Sequence, residues 1–239
     1  MTGGRVSTPS RIALWLKRTV LALLGLILVY QLWLFSWVLW WNWFNPDMTR
    51  FMDIRLAELR ALDPKAQLTK EWVDYRQISP HLKRAIIAAE DAKFVDHDGF
   101  DWEGIQKALE KNQRKGKVVA GGSTISQQLA KNLFLSPSKT PWRKAEEAVI
   151  TLMLEALWSK QRIFEVYLNV IEWGSGVFGA GAAARHYYGI AAAQLSAGQA
   201  ARLAGMVPNP RFYEHHLGAP GLALKAAIIL ARMPSAEIP

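Results

Sequence analysis

Three groups of residues in this sequence have the side-chain types and the spacing to act on a charged substrate. The first is EDAKFVDHDGF, which holds Glu90, Asp91, Phe94 and His97. Glu90 follows Ile87, Ala88 and Ala89 at the end of an expected helix, so its carboxylate has few polar neighbours and faces the negative end of the helix dipole. Both conditions raise a carboxyl pKa and suit a glutamate to proton transfer, as general base or general acid. A carboxylate that caps the following loop is the plainer alternative, and one glutamate alone does not separate the two. His97 has no second ligand at metal-binding spacing and reads as a structural histidine.

The second group is GGSTISQQLAKN, Gly121 to Asn132. Two glycines permit a tight turn, Ser123 or Thr124 can cap the helix that follows, and free N–H groups at that helix start form an anion site. Gln127, Gln128, Lys131 and Asn132 then offer amide and ammonium donors, while Ile125, Leu129 and Leu133 face inward. A simple capped amphipathic helix is the alternative, although solvated faces normally carry Glu and Lys rather than uncharged donors.

The third group is Arg143, Lys144 and Glu147, in WRKAEE. Two cations in a first helical turn oppose the dipole, which an external anion would offset. An Arg143–Glu147 pair on a helix surface, worth roughly 0.2–0.5 kcal/mol, explains the same residues without a ligand. Together the groups supply two carboxylates and a set of phosphate-compatible donors. Glycosyl transfer from a sugar diphosphate needs both: a base for the attacking hydroxyl and cations for the departing diphosphate.

The elements that must position these residues are mostly helical. Ser79 and Pro80 form an N-cap and first-turn pair, with Leu82, Ala85, Ile86 and Ala89 at helical spacing up to about Asp91. A second helix is expected from Asp101 to Lys115, with Lys107, Lys111 and Lys115 as a basic stripe. Thr140 and Pro141 open a third, whose apolar face of Ala145, Ala148, Val149, Leu152, Met153, Ala156 and Leu157 is expected to be central to the core. Further helices are expected at Arg162 to Val170, after a Ser196/Gln199 capping box, and at Leu222 to Met233. No alternating strand pattern stands out, and Gly174 to Gly181 reads as a glycine-rich turn between helices.

Composition limits the compartment. There is no cysteine, which excludes disulfides, thiolate metal sites and thiol nucleophiles. Lys and Arg outnumber Asp and Glu by 29 to 20, a balance that favours anionic partners. From Thr19 to Trp41 the chain carries no formal charge, a length that spans a hydrocarbon core of about 30 Å at about 1.5 Å per residue. Arg5, Arg11, Lys17 and Arg18 precede this run, and Trp33, Trp37, Trp40, Trp41 and Trp43 crowd its far end. Basic residues stay inside and tryptophans favour the interface, so an uncleaved anchor with a cytoplasmic N-terminus is expected. The expected organisation is a cytoplasmic segment 1–18, an anchor 19–44, a linker 45–70, a catalytic domain 71–215 and a helical tail 216–239.

In this order, EDAKFVDHDG, GGSTISQQLAKN, RKAEE and SKQRIFEVYLN resemble the successive motifs of the lysozyme-like peptidoglycan glycosyltransferases, over about Ile78 to Pro210. Ser126 and the run VYLNVIEWGSGVFGA, with Glu172, resemble the monofunctional branch, without transpeptidase activity; the Ser-x-x-Lys at Ser136 to Lys139 lacks the partner motifs downstream. The resemblance implies a mostly α, lysozyme-like domain that polymerises lipid II. It implies Glu90 as general base and Glu147 as a second glutamate organising the diphosphate region or a divalent cation, Mg2+ or Mn2+. It implies Lys131, Asn132, Arg143 and Lys144 as phosphate ligands, and Ser123, Thr124, Gln127 and Gln128 as substrate-lining residues. Asp91, Phe94 and His97 would complete the substrate site as supports of the catalytic glutamate. Implied partners are lipid II, the growing lipid-linked strand, the bacterial inner membrane with the domain on its periplasmic side, and division or elongation proteins; nucleic acid is not among them. A membrane-anchored glycan hydrolase and a non-catalytic scaffold are the competing classes.

Overall fold

The computed structural model describes residues 11–117 and 121–239, so Arg5 and the rest of 1–10 lie outside the described residues. Helix α1 (Arg11–Trp41) is long and apolar enough to cross a membrane, with a mean hydropathy of 2.1 over its most apolar window. This is consistent with a single-pass anchor. Only Leu34 and Val38 of α1 are buried, on the side that packs against α6 (Pro141–Leu157).

The expected linker 45–70 contains a helix, α2 (Arg50–Leu62), capped by Thr49, whose side chain accepts the Met52 N–H at 3.2 Å. Phe51 and Met52 are buried, and α2 packs on α5 (Ile125–Phe134). Two apolar residues in one turn suffice to seat it, which is why its amphipathic signal is short. The chain continues through β1 (Thr69–Lys70) to α3 (Pro80–Glu90) and α4 (Trp102–Lys115). Ser79 caps α3 with Pro80 in its first turn, and Asp101 caps α4, as the cap signals require. The lysine stripe Lys107, Lys111 and Lys115 is exposed.

The centre of the core is α7 (Lys160–Val170), in which Ile163, Phe164 and every residue from Val166 to Val170 are buried. A helix apolar nearly all round belongs inside. This corrects the reading of α6 as the central helix. Its buried residues are Glu147, Ile150, Thr151 and Leu154, whereas Ala145, Val149, Leu152 and Ala156 of the expected core face are exposed. Apolar periodicity reports which face avoids water and does not distinguish protein core from lipid.

After α7 the glycine-rich stretch forms strands rather than a bare turn. Strand β2 (Glu172–Gly174) pairs antiparallel with β3 (Val177–Phe178), with an irregularity between Glu172 and Gly174, and β3 pairs parallel with β1, Thr69 opposite Val177. Gly179, at φ 86°, needs to be glycine: a Cβ there would meet the Asn169 carbonyl oxygen at 2.7 Å. Helices α8 (Ala180–Tyr188), α9 (Ala197–Met206), α10 (Pro210–His215) and α11 (Pro220–Arg232) complete the fold. The tail 216–239 is part of the domain: α11 packs on α9 and α3, and the Tyr75 hydroxyl donates to the Pro239 carbonyl at 2.7 Å.

Candidate active site

Glu90 is the last residue of α3 and Asp91 is its C-cap. The Asp91 carboxylate is buried and ties three segments together. It accepts the Ile125 N–H at the start of α5 at 3.0 Å, and His97 Nε2 lies 3.0 and 3.2 Å from its two oxygens. Because His97 Nδ1 accepts the Gly99 N–H at 3.2 Å, the ring proton sits on Nε2 and points at Asp91. Phe94 is fully buried against Phe164. Asp91, Phe94 and His97 therefore stand behind Glu90 and hold the end of α3 against α5, without facing the cleft.

On α5 the cap is Thr124, not Ser123. Thr124 and Gln127 form a reciprocal capping box, and the Thr124 hydroxyl donates to the Gly99 carbonyl at 2.7 Å, so Thr124 is wholly structural in its contacts. One turn on, the Gln128 amide nitrogen donates to the Glu90 carboxylate at 2.8 Å, while its oxygen accepts the Tyr167 hydroxyl at 3.0 Å. Tyr167 thus fixes which way the Gln128 amide points. Asn132 is held by a 2.8 Å bond to the Gln128 carbonyl.

Glu90, Ser123, Gln127, Gln128, Lys131, Arg143, Lys144 and Glu147 line one cavity of about 420 Å³. Arg143 Nη1 pairs with Glu147 at 2.5 Å, and Lys144 pairs with the other Glu147 oxygen. The ion-pair and ligand-site readings of this group therefore coexist. Arg143 Nε is buried without a partner, and Lys131 has no ion pair among the described residues. Both therefore keep donor capacity that the protein's own side chains leave unused.

A second cavity of about 350 Å³ continues the cleft past Gln128 and Lys131, and Asn132 lies here. It adds Phe51, Arg55, Lys139, Glu172 and Arg211, which the motif-by-motif reading did not pick as site residues. Arg55 bonds Glu172 at 3.1 Å and Glu58 at 2.7 Å, and Arg211 reaches Glu58 at 3.1 Å. These contacts join α2, β2 and α10, so no local spacing could reveal them. The presence of an unusual acid in VIEWG was the available signal.

Burial is the largest influence on the key titrating groups. It pushes the Glu90 carboxyl above the ordinary carboxylate range, opposed by the Gln128 bond and by the charges of Lys131 and Lys225. It lowers the Lys131 ammonium, which Glu147 and Glu90 partly restore. Glu172 is likewise raised by burial, against Arg55 and Arg211. Among the described residues no three His, Cys, Asp or Glu side chains converge as a metal site. Glu147 offers one carboxylate, already engaged by two cations, so the protein's own donors do not make a divalent-cation cage.

Residues 57–234 match the Transglycosylase family. The sequence is 73% identical over 225 residues to a biosynthetic peptidoglycan transglycosylase of Dechloromonas aromatica (strain RCB), covering 94% of this chain and 97% of the relative. This chain belongs to the peptidoglycan transglycosylase family. Proteins of the same name in Laribacter hongkongensis (strain HLHK9) and Nitrosospira multiformis (strain ATCC 25196 / NCIMB 11849 / C 71) are 63% and 62% identical, each over 94% of this chain. The chain is a glycosyltransferase of this peptidoglycan transglycosylase family, which accounts for a cleft with one isolated carboxylate and a cationic cluster. The matched segment takes in the C-terminal part of α2, from residue 57, and all of α11, so α11 and the end of α2 belong to the transglycosylase unit.

Proposed function

We propose that this transglycosylase polymerises lipid II, using Glu90 as general base. The observation that carries the reading is one cleft in which the half-buried Glu90 carboxylate meets Lys131, Arg143 and Lys144. Glu90 takes the proton from the 4-hydroxyl of the acceptor GlcNAc as that oxygen bonds to the donor's anomeric carbon. The carbon–oxygen bond to the diphosphate breaks, its electron pair leaves with undecaprenyl diphosphate, and the linkage inverts to β. Lys131, Arg143 and Lys144 receive the developing charge. Ser123, Gln127 and Gln128 line the sugar's path, and Asn132 and Lys139 extend it.

Mg2+ or Mn2+ would reach Glu147 only in exchange for Arg143 or Lys144, with diphosphate oxygens and water as its other ligands. No transpeptidation is part of the reading, because the Ser136 hydroxyl bonds Ser138 rather than a lysine. Lys17 and Arg18 before the apolar run support an N-terminus in the cytoplasm and a domain on the outer face of the inner membrane. A tethered site also shares the plane of two lipid-linked substrates, which raises its effective concentration near them.

Lipid II incubated with the full-length chain in detergent or liposomes is expected to give glycan polymer, and Glu90→Gln to lower the rate at least a hundredfold. Polymer at an unchanged rate from Glu90→Gln removes Glu90 as base. Fragments released from sacculi, with no polymer from lipid II, make the enzyme a hydrolase instead.

A further inference from the structure

Glu90 lines both the cleft with Arg143 and Lys144 and another cavity. The other, about 200 Å³, lies between α3, α9 and α11 and has Ala88, Ala89, Ile228 and Ile229 among its apolar walls. Its charged residues are Glu90, Lys225 and Arg232. Lys225 makes no ion pair among the described residues. Its ammonium donates to the Tyr213 hydroxyl at 3.1 Å and lies 5.0 Å from the centre of that ring. The seat is close: a Cβ at Gly205 of α9 would lie 3.5 Å from Lys225 Cβ and 3.1 Å from Leu222 Cδ1.

We infer that Lys225 is a positioning residue for the reaction: held by Tyr213 at the rim of the apolar cavity, its fixed positive charge keeps Glu90 ionised at working pH. Apolar walls on that side give the carboxylate no hydrogen bonds, so a cation is the means left to favour the charged form. The lysine acts through space and touches neither substrate nor the transferred proton. The inference rests on Glu90 being the base.

Other charged or titratable groups around Glu90 do not do the same work. Lys131 on α5 faces it from the first cavity, but an arriving diphosphate neutralises that lysine together with Arg143 and Lys144. Glu147 on α6 and the neighbouring Asp91 carry negative charge, and Asp91 faces His97. Tyr167 on α7 bonds Gln128, and α9 contributes only Ala204 and Gly205 to the apolar cavity of about 200 Å³. Arg232 lies on the same cavity without the tyrosine seat. Lys225 is thus the cation that persists when substrate fills the other side.

The sign is definite. Removing a nearby positive charge raises the Glu90 pKa, and a base must be ionised, so the acidic limb of the pH–rate profile moves to higher pH. Lys225 is exposed, so screening limits the shift to about half to one pH unit at low salt, and less at high salt. The experiment measures polymerisation rate against pH for the full-length chain, Lys225→Met and Lys225→Arg, with Glu90 titrated separately by 13C NMR of labelled glutamate. Lys225→Met is expected to shift limb and titration together, with a several-fold loss below the limb and a plateau kept, and Lys225→Arg to restore both. An unmoved limb and titration in Lys225→Met, or a raised KM alone, overturns the inference while leaving Glu90 as base. An active Glu90→Gln enzyme would instead remove the base itself.

Discussion

The burial that raises the Glu90 carboxyl also makes its ionised form unfavourable in the folded chain, since one desolvation acts on protonation and on stability. Below the unfolded carboxyl pKa both states hold the proton and the penalty is absent. It grows as pH rises and is complete above the raised folded pKa. Glu90→Gln keeps a group that can bond Gln128 and carries no charge, so it is expected to stabilise the protein at neutral pH by about 0.5–2 kcal/mol. Thermal melting of both proteins should show this gain at pH 7 and its loss below about pH 4. Equal melting temperatures at both pH values would mean that Glu90 is solvated well enough to need no tuning. Arg143, Lys144 and Glu147 differ in kind, because their charges are mutually paired before substrate arrives.

At the scale of elements, the decisive joint is that between α3 and α5. Asp91 caps the end of one helix and accepts an N–H at the start of the other, so a single carboxylate sets the register that brings Gln128 to Glu90. Asp91→Asn keeps the shape and loses the charge that faces the positive end of α5. It is expected to cost about 1–3 kcal/mol of stability in urea unfolding, with kcat for polymerisation falling more than tenfold and KM little changed. Both helix starts were legible because caps are local: Ser79 before Pro80, and Ser123 or Thr124 before Ile125, of which the structure uses Thr124. The α6 start at Thr140 and Pro141 was legible for the same reason. The orientation of α6 was not, because Val149 and Leu152 are as apolar as core residues although they lie outside. Likewise α2 read as a linker, since Arg55 finds Glu172 only after 117 residues of chain. Motifs therefore located Glu90, Gln128, Lys131 and Arg143, while the second half of the cleft depends on long-range folding.

For the whole molecule, the join between α1 and the domain is made by specific hydrogen bonds. The last carbonyls of a helix have no partners within it, and here the domain supplies partners for those of Val38 and Trp41. Trp158 Nε1 donates to the Val38 carbonyl at 2.8 Å, and Arg162 Nη2 donates to the carbonyls of Trp41 and Phe44, each at 2.8 Å. Arg162 Nη1 also bonds Asn45 at 2.9 Å and pairs with Glu165 at 2.8 Å. Five donors in a planar fork fix an orientation that one ammonium could not. On the proposed reading, in which α1 is a membrane anchor, a helix so held would give the cleft a set height and tilt above the bilayer, which matters only when the substrate is confined to that bilayer. Arg162→Lys and Arg162→Ala are therefore expected to lower polymerisation several-fold with lipid II in liposomes. A short-chain, water-soluble lipid II analogue in detergent should be used at nearly the original rate, because it can reach the cleft from any direction. Equal losses on both substrates would show that Arg162 supports the fold of the cleft itself, through Glu165 and the Tyr75 N–H which Glu165 accepts at 2.9 Å, rather than its placement over the membrane.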